Sequence, residues 1–280
     1  MSIATMGSET TRGLTAIQFP VESGKVYGHD GQEIPGYQRI WRPDNGATLS
    51  IMSDGYELAS HEEVMKPALD ILGNEGWKIK QSHIEKNGAK AFVELVRMDK
   101  PIKVLGEQVG FRAIMRNSYN GSTSASLEFS GIVVKCLNGA TAPGGMSFGF
   151  DVHHTGGIHD HLFNITKRVR HIEEGLGRKL IEVYSQLDGP VPAEIGKEIV
   201  TRIVGQRKAD SPLVYWTKGI GRDGQPNAWN LYNGITQYLT HDFKGGWYWR
   251  ENKSEKAFNL IAGYLKSGTL PKLETPEQEN

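Results

Sequence analysis

The chain has 280 residues, 38% of them hydrophobic, and carries 32 Lys and Arg against 32 Asp and Glu. These values fit a soluble globular chain with one large domain, or a domain with a helical appendage, and the balanced charge by itself selects no class of partner. The single cysteine, Cys136, excludes an intramolecular disulfide and a Cys-rich zinc site. With no apolar run of about 18 residues and no basic, apolar leader, neither a membrane span nor a signal peptide is expected, and the expected location is the cytoplasm.

Residues 1–36 are rich in Gly, Ser and Thr and poor in large apolar side chains, which predicts a flexible N-terminal arm. Tyr37 to Trp41 and Thr48 to Met52 read as short strands around the turn Pro43-Asp44-Asn45-Gly46. Ser60 and Glu63 have capping-box spacing, and Val64, Ala68, Leu69 and Leu72 form an apolar stripe, so a helix should run from Ser60 to Gly73, with Pro67 placed to kink it. Strands follow at Trp77 to Ile84 and Ala89 to Met98, joined at Lys86-Asn87-Gly88, then at Val104 to Met115 and Leu127 to Val134 in the same antiparallel sheet. Asn120-Gly121, set between two alternating runs, predicts a hairpin that places Arg112 and Arg116 on one side of its first strand.

Residues 138–158 read as loop because Gly and Pro interrupt them repeatedly. From Asp160 a long helix is expected, since Leu162, Ile165, Val169, Ile172, Leu176, Leu180, Val183 and Leu187 recur at three- and four-residue steps, a stripe suited to packing on the sheet. Further helices are expected at 192–205, 226–242 and 254–266, ahead of a disordered tail at 267–280. The fold class is therefore α+β: a core at 37–187 made of a meandering antiparallel sheet packed by a long helix, then a smaller helical region at 188–266.

Charge is unevenly distributed along this plan. Residues 1–75 hold 5 Lys and Arg against 11 Asp and Glu, whereas residues 76–135 hold 10 against 5. The predicted sheet is the basic part, and Lys167, Arg168 and Arg170 add a second cluster early in the long helix. Such a surplus suits an anionic partner, and it is also what ordinary solvated faces carry.

His153, His154, His159, Asp160 and His161 fall within nine residues, a density that raises metal binding, although the i, i+4 helical spacing of a zinc-protease motif is missing. The histidines have an alternative role in hydrogen bonding to backbone or in meeting phosphate when protonated. GxxxxGK[ST], GxSxG and a strand-to-helix GxGxxG are all absent, so nucleotide-driven and serine-hydrolase chemistry is not expected. Trp247-Tyr248-Trp249-Arg250 is an aromatic and cationic cluster that fits base stacking or, as a core or interface anchor, protein contact.

Arg42-Pro43-Asp44, Leu49 to Ser53, Tyr56, Asn87-Gly88-Ala89, Asn117 to Ser122, Val133 to Cys136, Asn138 and His154-Thr155 together resemble the phage and plasmid DUF932 family. Ala228-Trp229, Asn233, Thr236 and His241 resemble its distal segment, so the resemblance spans about residues 37–245. In element order the chain is also similar to the Rad52-like single-strand annealing proteins of phages. That likeness implies a homo-oligomeric ring or filament in a bacterial cytoplasm that holds single-stranded DNA by its backbone in recombination or replication, without cofactor or catalytic residue. The expected contacts are Lys86, Lys90, Arg112, Arg116, Lys135, Lys167, Arg168 and Arg170, with stacking by Tyr119 or Trp77. Two other readings stand beside it: a metal-dependent enzyme built on the histidine cluster, and a phage structural or host-interaction protein.

Overall fold

The structure, a computed structural model, describes residues 15–134, 138–140, 148–152, 154, 169, 175–217 and 227–270. It has the expected α+β class, with two antiparallel sheets and a helical C-terminal region. The first sheet contains strands β1 (Glu22–Tyr27), β2 (Glu33–Trp41) and β3 (Thr48–Ser53) in that order. β1 falls within the predicted flexible arm, yet it pairs with β2, Glu22 opposite Trp41 and Gly24 opposite Arg39. Its side chains are half-buried or exposed, so the backbone ladder rather than an apolar pattern holds it, and composition carries no trace of that.

Helix α1 (His61–Asn74) starts at the predicted capping box: Ser60 Oγ accepts from Glu63 N, and the Glu63 carboxylate accepts from Ser60 N. It buries Val64, Met65, Ala68, Leu69 and Leu72 and continues through Pro67, giving up one backbone hydrogen bond there. The second sheet follows, with β4 (Lys78–Glu85), β5 (Lys90–Val104), β6 (Glu107–Ser118), β7 (Ala125–Val133) and β8 (Asn138–Ala140) in chain order. A further strand, β9 (Phe148–Val152), pairs with residues 125–129 of β7, while β8 pairs with residues 131–133. Both short strands lie where a loop is expected, because pairing to an existing edge overrides glycine's weak strand preference.

β5 is longer than predicted and ends in a tight turn at Leu105 (φ +42°) and Gly106 (φ +90°), which divides the expected strand from 104 to 115. A turn with positive φ at both central residues favours Asn-Gly, and leucine in the first place hides it. Pro101 is tolerated in β5 because β4 pairs no further than Val96. β6 and β7 flank the Asn120-Gly121 turn as predicted.

The described residues divide into two compact units, one within 1–99, 111–129 and 148–176 and the other within 100–110, 130–147 and 177–280. In the first, Ile40, Leu49, Tyr56, Ala89 and Tyr119 form a buried cluster with Phe19, Val21, Met52 and Leu58 against it. Trp77 packs edge-on against Phe129, ring centroids 5.6 Å apart, and is 4% exposed.

The second unit holds most of α2 (residues 175–184, in continuation of which Ser185–Leu187 forms a 3-10 turn), and α3 (Ala193–Val204), α4 (Asp210–Thr217), α5 (Ala228–His241) and α6 (Trp247–Ser267). Val169, Leu176, Leu180, Val183 and Leu187 of the predicted stripe are buried, and Leu162, Ile165 and Ile172 lie outside the described residues. The aromatic rings of Tyr184, Trp229, Tyr232 and Phe258 pack in sequence, with centroids 5.5 to 6.2 Å apart along the row. The Tyr184 hydroxyl accepts from Gly131 N at 2.8 Å. α5 is buried nearly all round, and its Trp229 and Asn233 side chains donate to the Glu107 carboxylate.

α4 leaves no signal in the sequence because its eight residues carry no apolar period. It approaches α3 closely: a Cβ at Gly196 would meet the Trp216 ring at 2.2 Å. Gly196→Ala should therefore destabilise the chain by about 1–3 kcal/mol through overpacking. A urea midpoint equal to that of the parent chain would contradict this packing.

Candidate functional site

Several of the residues that carry the family resemblance meet in one buried polar network of the first unit. The β4–β5 connection, Lys86 to Gly88, runs through three successive positive φ values of 51°, 60° and 103°. A Cβ at Gly88 would lie 2.7 Å from the Phe19 ring, so only glycine fits there. The turn places the Gly88 carbonyl 2.9 Å from Nε2 of His61, the first residue of α1. The His61 backbone N donates to the Tyr119 hydroxyl at 2.8 Å, and the two rings stack with centroids 4.1 Å apart. Tyr56 OH donates to Ser118 O, and Ser50 Oγ donates to Tyr119 O.

Asn117, fully buried on β6, links the two histidines. Its Nδ2 donates to Ala59 O at 3.4 Å and to His61 Nδ1 at 3.0 Å, and its Oδ1 accepts from His154 Nε2 at 2.6 Å. This fixes the tautomers: His61 carries its proton on Nε2, facing the Gly88 carbonyl, and His154 carries one on Nε2. The other His154 nitrogen, Nδ1, lies 3.2 Å from Glu57 O. In the neutral ring this contact sets one lone pair against another, and only a second proton turns it into a hydrogen bond.

Burial nevertheless pushes the His154 imidazolium below the ordinary range, against the raising effect of Glu57, and lowers His61 to about 4. His61 thus favours the fold fully above its unfolded value of about 6.5, and that contribution is lost as pH falls toward 4. Between pH 7.5 and 5.0 the unfolding free energy should drop by about 2 kcal/mol from His61 alone. Urea unfolding at the two pH values checks this, and equal midpoints would contradict the neutral buried ring. The network holds no free nucleophile, and it ties α1, β6, the β4–β5 turn and His154 together.

The expected cationic face on β6 requires correction. Arg112 is 3% exposed, and its Nε donates to Glu94 Oε1 on β5 at 2.6 Å. Arg116 is half-buried and ion-paired to Glu128 on β7. Both sit on a strand with neighbours on either side, so the carboxylates that face them come from adjacent strands rather than from a ligand. Tyr119 is fully buried and Trp77 nearly so, which removes both from base stacking. Lys86 is exposed and Lys90 half-buried. Lys135, Lys167, Arg168 and Arg170 lie outside the described residues, as do His153, His159, Asp160 and His161.

A different surface combines aromatic rings with a cation that makes no ion pair among the described residues. On β2, Tyr37, Arg39 and Trp41 alternate and so share one face of the first sheet; Ile51 of β3 is opposite Arg39. Tyr37 is 53% and Ile51 57% exposed. Trp41 lies over Gly24, where a Cβ would come within 2.9 Å of its ring. The Arg39 guanidinium sits 5.5 Å from the Trp41 ring centroid, steered by bonds to Thr48 Oγ1 at 2.9 Å and Gly46 O at 3.3 Å. Among the described residues it makes no ion pair.

The bulge between Ile40 and Trp41 lets Ile40 and Leu49 both enter the core while Trp41 stays on the outer side. Aromatic rings beside a cation on a solvated sheet have the chemistry with which single-strand-binding surfaces stack bases. Tyr37-x-Arg39-x-Trp41 is readable as a period-two pattern once strand 37–41 is assigned.

Of the histidine cluster only His154 is described; its Nε2 donates to Asn117 and its Nδ1 faces the Glu57 carbonyl inside the buried network. Among the described residues no group of three His, Cys, Asp or Glu side chains is placed to hold a metal ion, and no helix is long and apolar enough to cross a membrane. Residues 48–187, half of the chain, match the family described as Domain of unknown function (DUF932). The match is shorter than the resemblance read from the sequence and leaves the α5 residues outside it. No curated protein and no solved structure matches the chain, so the likeness to Rad52-like annealing proteins gains no support from a shared fold.

Proposed function

The chain belongs to the DUF932 family, and we propose that it binds single-stranded nucleic acid through the outer face of its first sheet. The observation that carries this reading is the solvent-facing row of Tyr37, Arg39 and Trp41 beside Ile51. Bases stack on Tyr37 and Trp41, and the Arg39 guanidinium meets the phosphate or stacks with them. Stacking uses the faces of the bases and leaves their pairing edges free, which is what annealing to a complementary strand requires. The role proposed is sequence-independent binding and annealing of single-stranded DNA by an oligomer in phage-type recombination or replication, with no cofactor.

Glu22 of β1, opposite Trp41 on this face, opposes phosphate approach. Glu22→Gln should therefore raise affinity about two- to threefold at low salt and less at high salt. The test of the function itself is fluorescence anisotropy of a labelled oligothymidylate at two salt concentrations. Binding that weakens with salt supports the reading, and absence of binding at low salt overturns it. Trp249, 64% exposed on α6, favours the alternative of a protein-contacting role. Strong self-association without affinity for nucleic acid would select that alternative.

A further inference from the structure

The second unit carries a cluster of cations that make no ion pair among the described residues. α5 ends at His241, and the connection to α6 folds the Phe243 ring back over Gly245, where a Cβ would come within 2.2 Å of the ring. Two ammonium groups from different elements face that ring: Lys208 Nζ at 5.7 Å from its centroid and Lys253 Nζ at 5.9 Å. Lys208 ends the 3-10 turn Gln206–Lys208 that follows α3, and Lys253 is on α6, one turn before the exposed Lys256. Lys253 Nζ donates to Ile203 O in the last turn of α3, which fixes its position and leaves two N–H donors for a ligand.

None of Lys208, Lys253 and Lys256 has a carboxylate within ion-pairing distance among the described residues. Their proximity has an electrostatic signature. Partial burial, then the charges of Lys256 and Lys208, lower the Lys253 pKa from its ordinary value. Arg207 and Lys244 are exposed on the neighbouring turns and add to the positive field. Like charges held together without a counterion oppose folding, and a bound anion would relieve that repulsion.

We propose that Lys208 and Lys253, beside the Phe243 ring, form with Lys256, one turn along α6 from Lys253, a binding site for phosphate-bearing anions. The ligand chemistry is a chain of two or more phosphates, supplied either by the backbone of a nucleic acid strand or by a free polyphosphate or nucleotide. The first source rests on the single-strand-binding reading above, and the second does not. The ring under the ammonium groups orients them by cation–π contact and offers an apolar surface beside the phosphates.

The test uses the full chain with its lysines labelled with ¹³C at Cε, which leaves every ammonium group with its three N–H donors. Tripolyphosphate titrated at low salt should shift the Lys208 and Lys253 ε-methylene signals saturably and raise the pH at which Lys253 titrates. Lys208→Ala with Lys256→Ala, both exposed positions, should leave the melting temperature within about 2 °C and abolish the saturable shift at Lys253.

In parallel, the salt dependence of oligothymidylate binding is compared between the parent and the same double variant. A fall of roughly one to one and a half in the slope of log K against log salt, about 0.7 for each phosphate that is no longer neutralised, identifies nucleic acid as a source. An unchanged slope alongside saturable tripolyphosphate binding identifies the free anion. If the parent chain binds no oligonucleotide, the sheet-face reading fails while the tripolyphosphate arm still decides this site. If neither probe moves the Lys208 and Lys253 signals, the site does not exist.

Discussion

Tyr37→Ala will weaken oligothymidylate binding by roughly tenfold or more, and Tyr37→Ala with Trp41→Ala by more than either alone. Truncating one stacking aromatic costs about 1–3 kcal/mol of affinity, and about 1.4 kcal/mol is a factor of ten in Kd. Tyr37 is the cleaner probe because its side chain is half exposed, whereas Trp41 also covers Gly24 of β1. The Tyr37→Ala protein should thus melt at the parent temperature, and its loss of affinity should be alike for thymidine, cytidine and adenine tracts. Tyr37→Phe retains the ring and should retain binding. Arg39→Ala should also weaken binding, and it should reduce the salt slope, which the tyrosine substitution leaves unchanged. Parent-like affinity in both Tyr37→Ala and Arg39→Ala would remove this face from the interface.

Arg112→Ala is expected to be among the most destabilising single substitutions in the chain, at about 3–5 kcal/mol. The Glu94 carboxylate is 1% exposed and is held by Arg112 Nε at 2.6 Å, Gln81 Nε2 at 2.5 Å and Lys80 Nζ at 3.4 Å. Burial alone would raise its pKa, but the Arg112 and Lys80 charges and the bonds from Arg112 and Gln81 outweigh that and hold it at about 2. With Arg112 gone, a buried carboxylate keeps only the weaker partners. Against a typical domain stability of about 5–15 kcal/mol, the substitution removes a large share of the total.

The sign with pH follows from the lowered pKa. Glu94 contributes its full stabilisation above its unfolded value of about 4.5, and that contribution is lost as pH falls toward 2. If Arg112→Ala fails to accumulate folded protein, the double replacement Glu94→Leu with Arg112→Leu tests the same point. Removing both charges should restore most of the stability. A single variant as stable as the parent would mean that the pair is not buried.

The same arginine marks the boundary of what the sequence could tell. Alternation along residues 107–118 places Arg112 and Arg116 on one side of a strand, and they are on β6 as expected. Alternation does not say whether that side is open. β5 and β6 are interior strands with both faces largely covered, so their polar residues face partners within the fold, Glu94 and Glu128. Segment charge therefore points to the basic part of the chain and away from the exposed part. The surface proposed for binding lies in the acidic N-terminal segment, where Arg39 has no carboxylate partner among the described residues.

Elements with local signals were legible: the capping box of α1, the turn at Lys86 to Gly88, and the apolar stripe from Leu176 to Leu187. Elements held by pairing alone were not. β1, β8 and β9 each add to an existing strand edge through backbone bonds, and their glycine-containing sequences look like loops. The buried network follows the same rule. Asn117 and His154 could be singled out as family-pattern or motif residues, but their meeting with His61 depends on contacts between positions 37 and 56 residues apart.

The most direct test of binding by the first sheet is photocrosslinking of a single-stranded oligonucleotide containing 4-thiothymidine to the full chain, followed by mass spectrometry of the crosslinked peptides. Stacking on Tyr37 and Trp41 predicts crosslinks concentrated on residues 37–41 and at Ile51, lost in Tyr37→Ala with Trp41→Ala. Crosslinks confined to other segments, and unaffected by that double substitution, would contradict it.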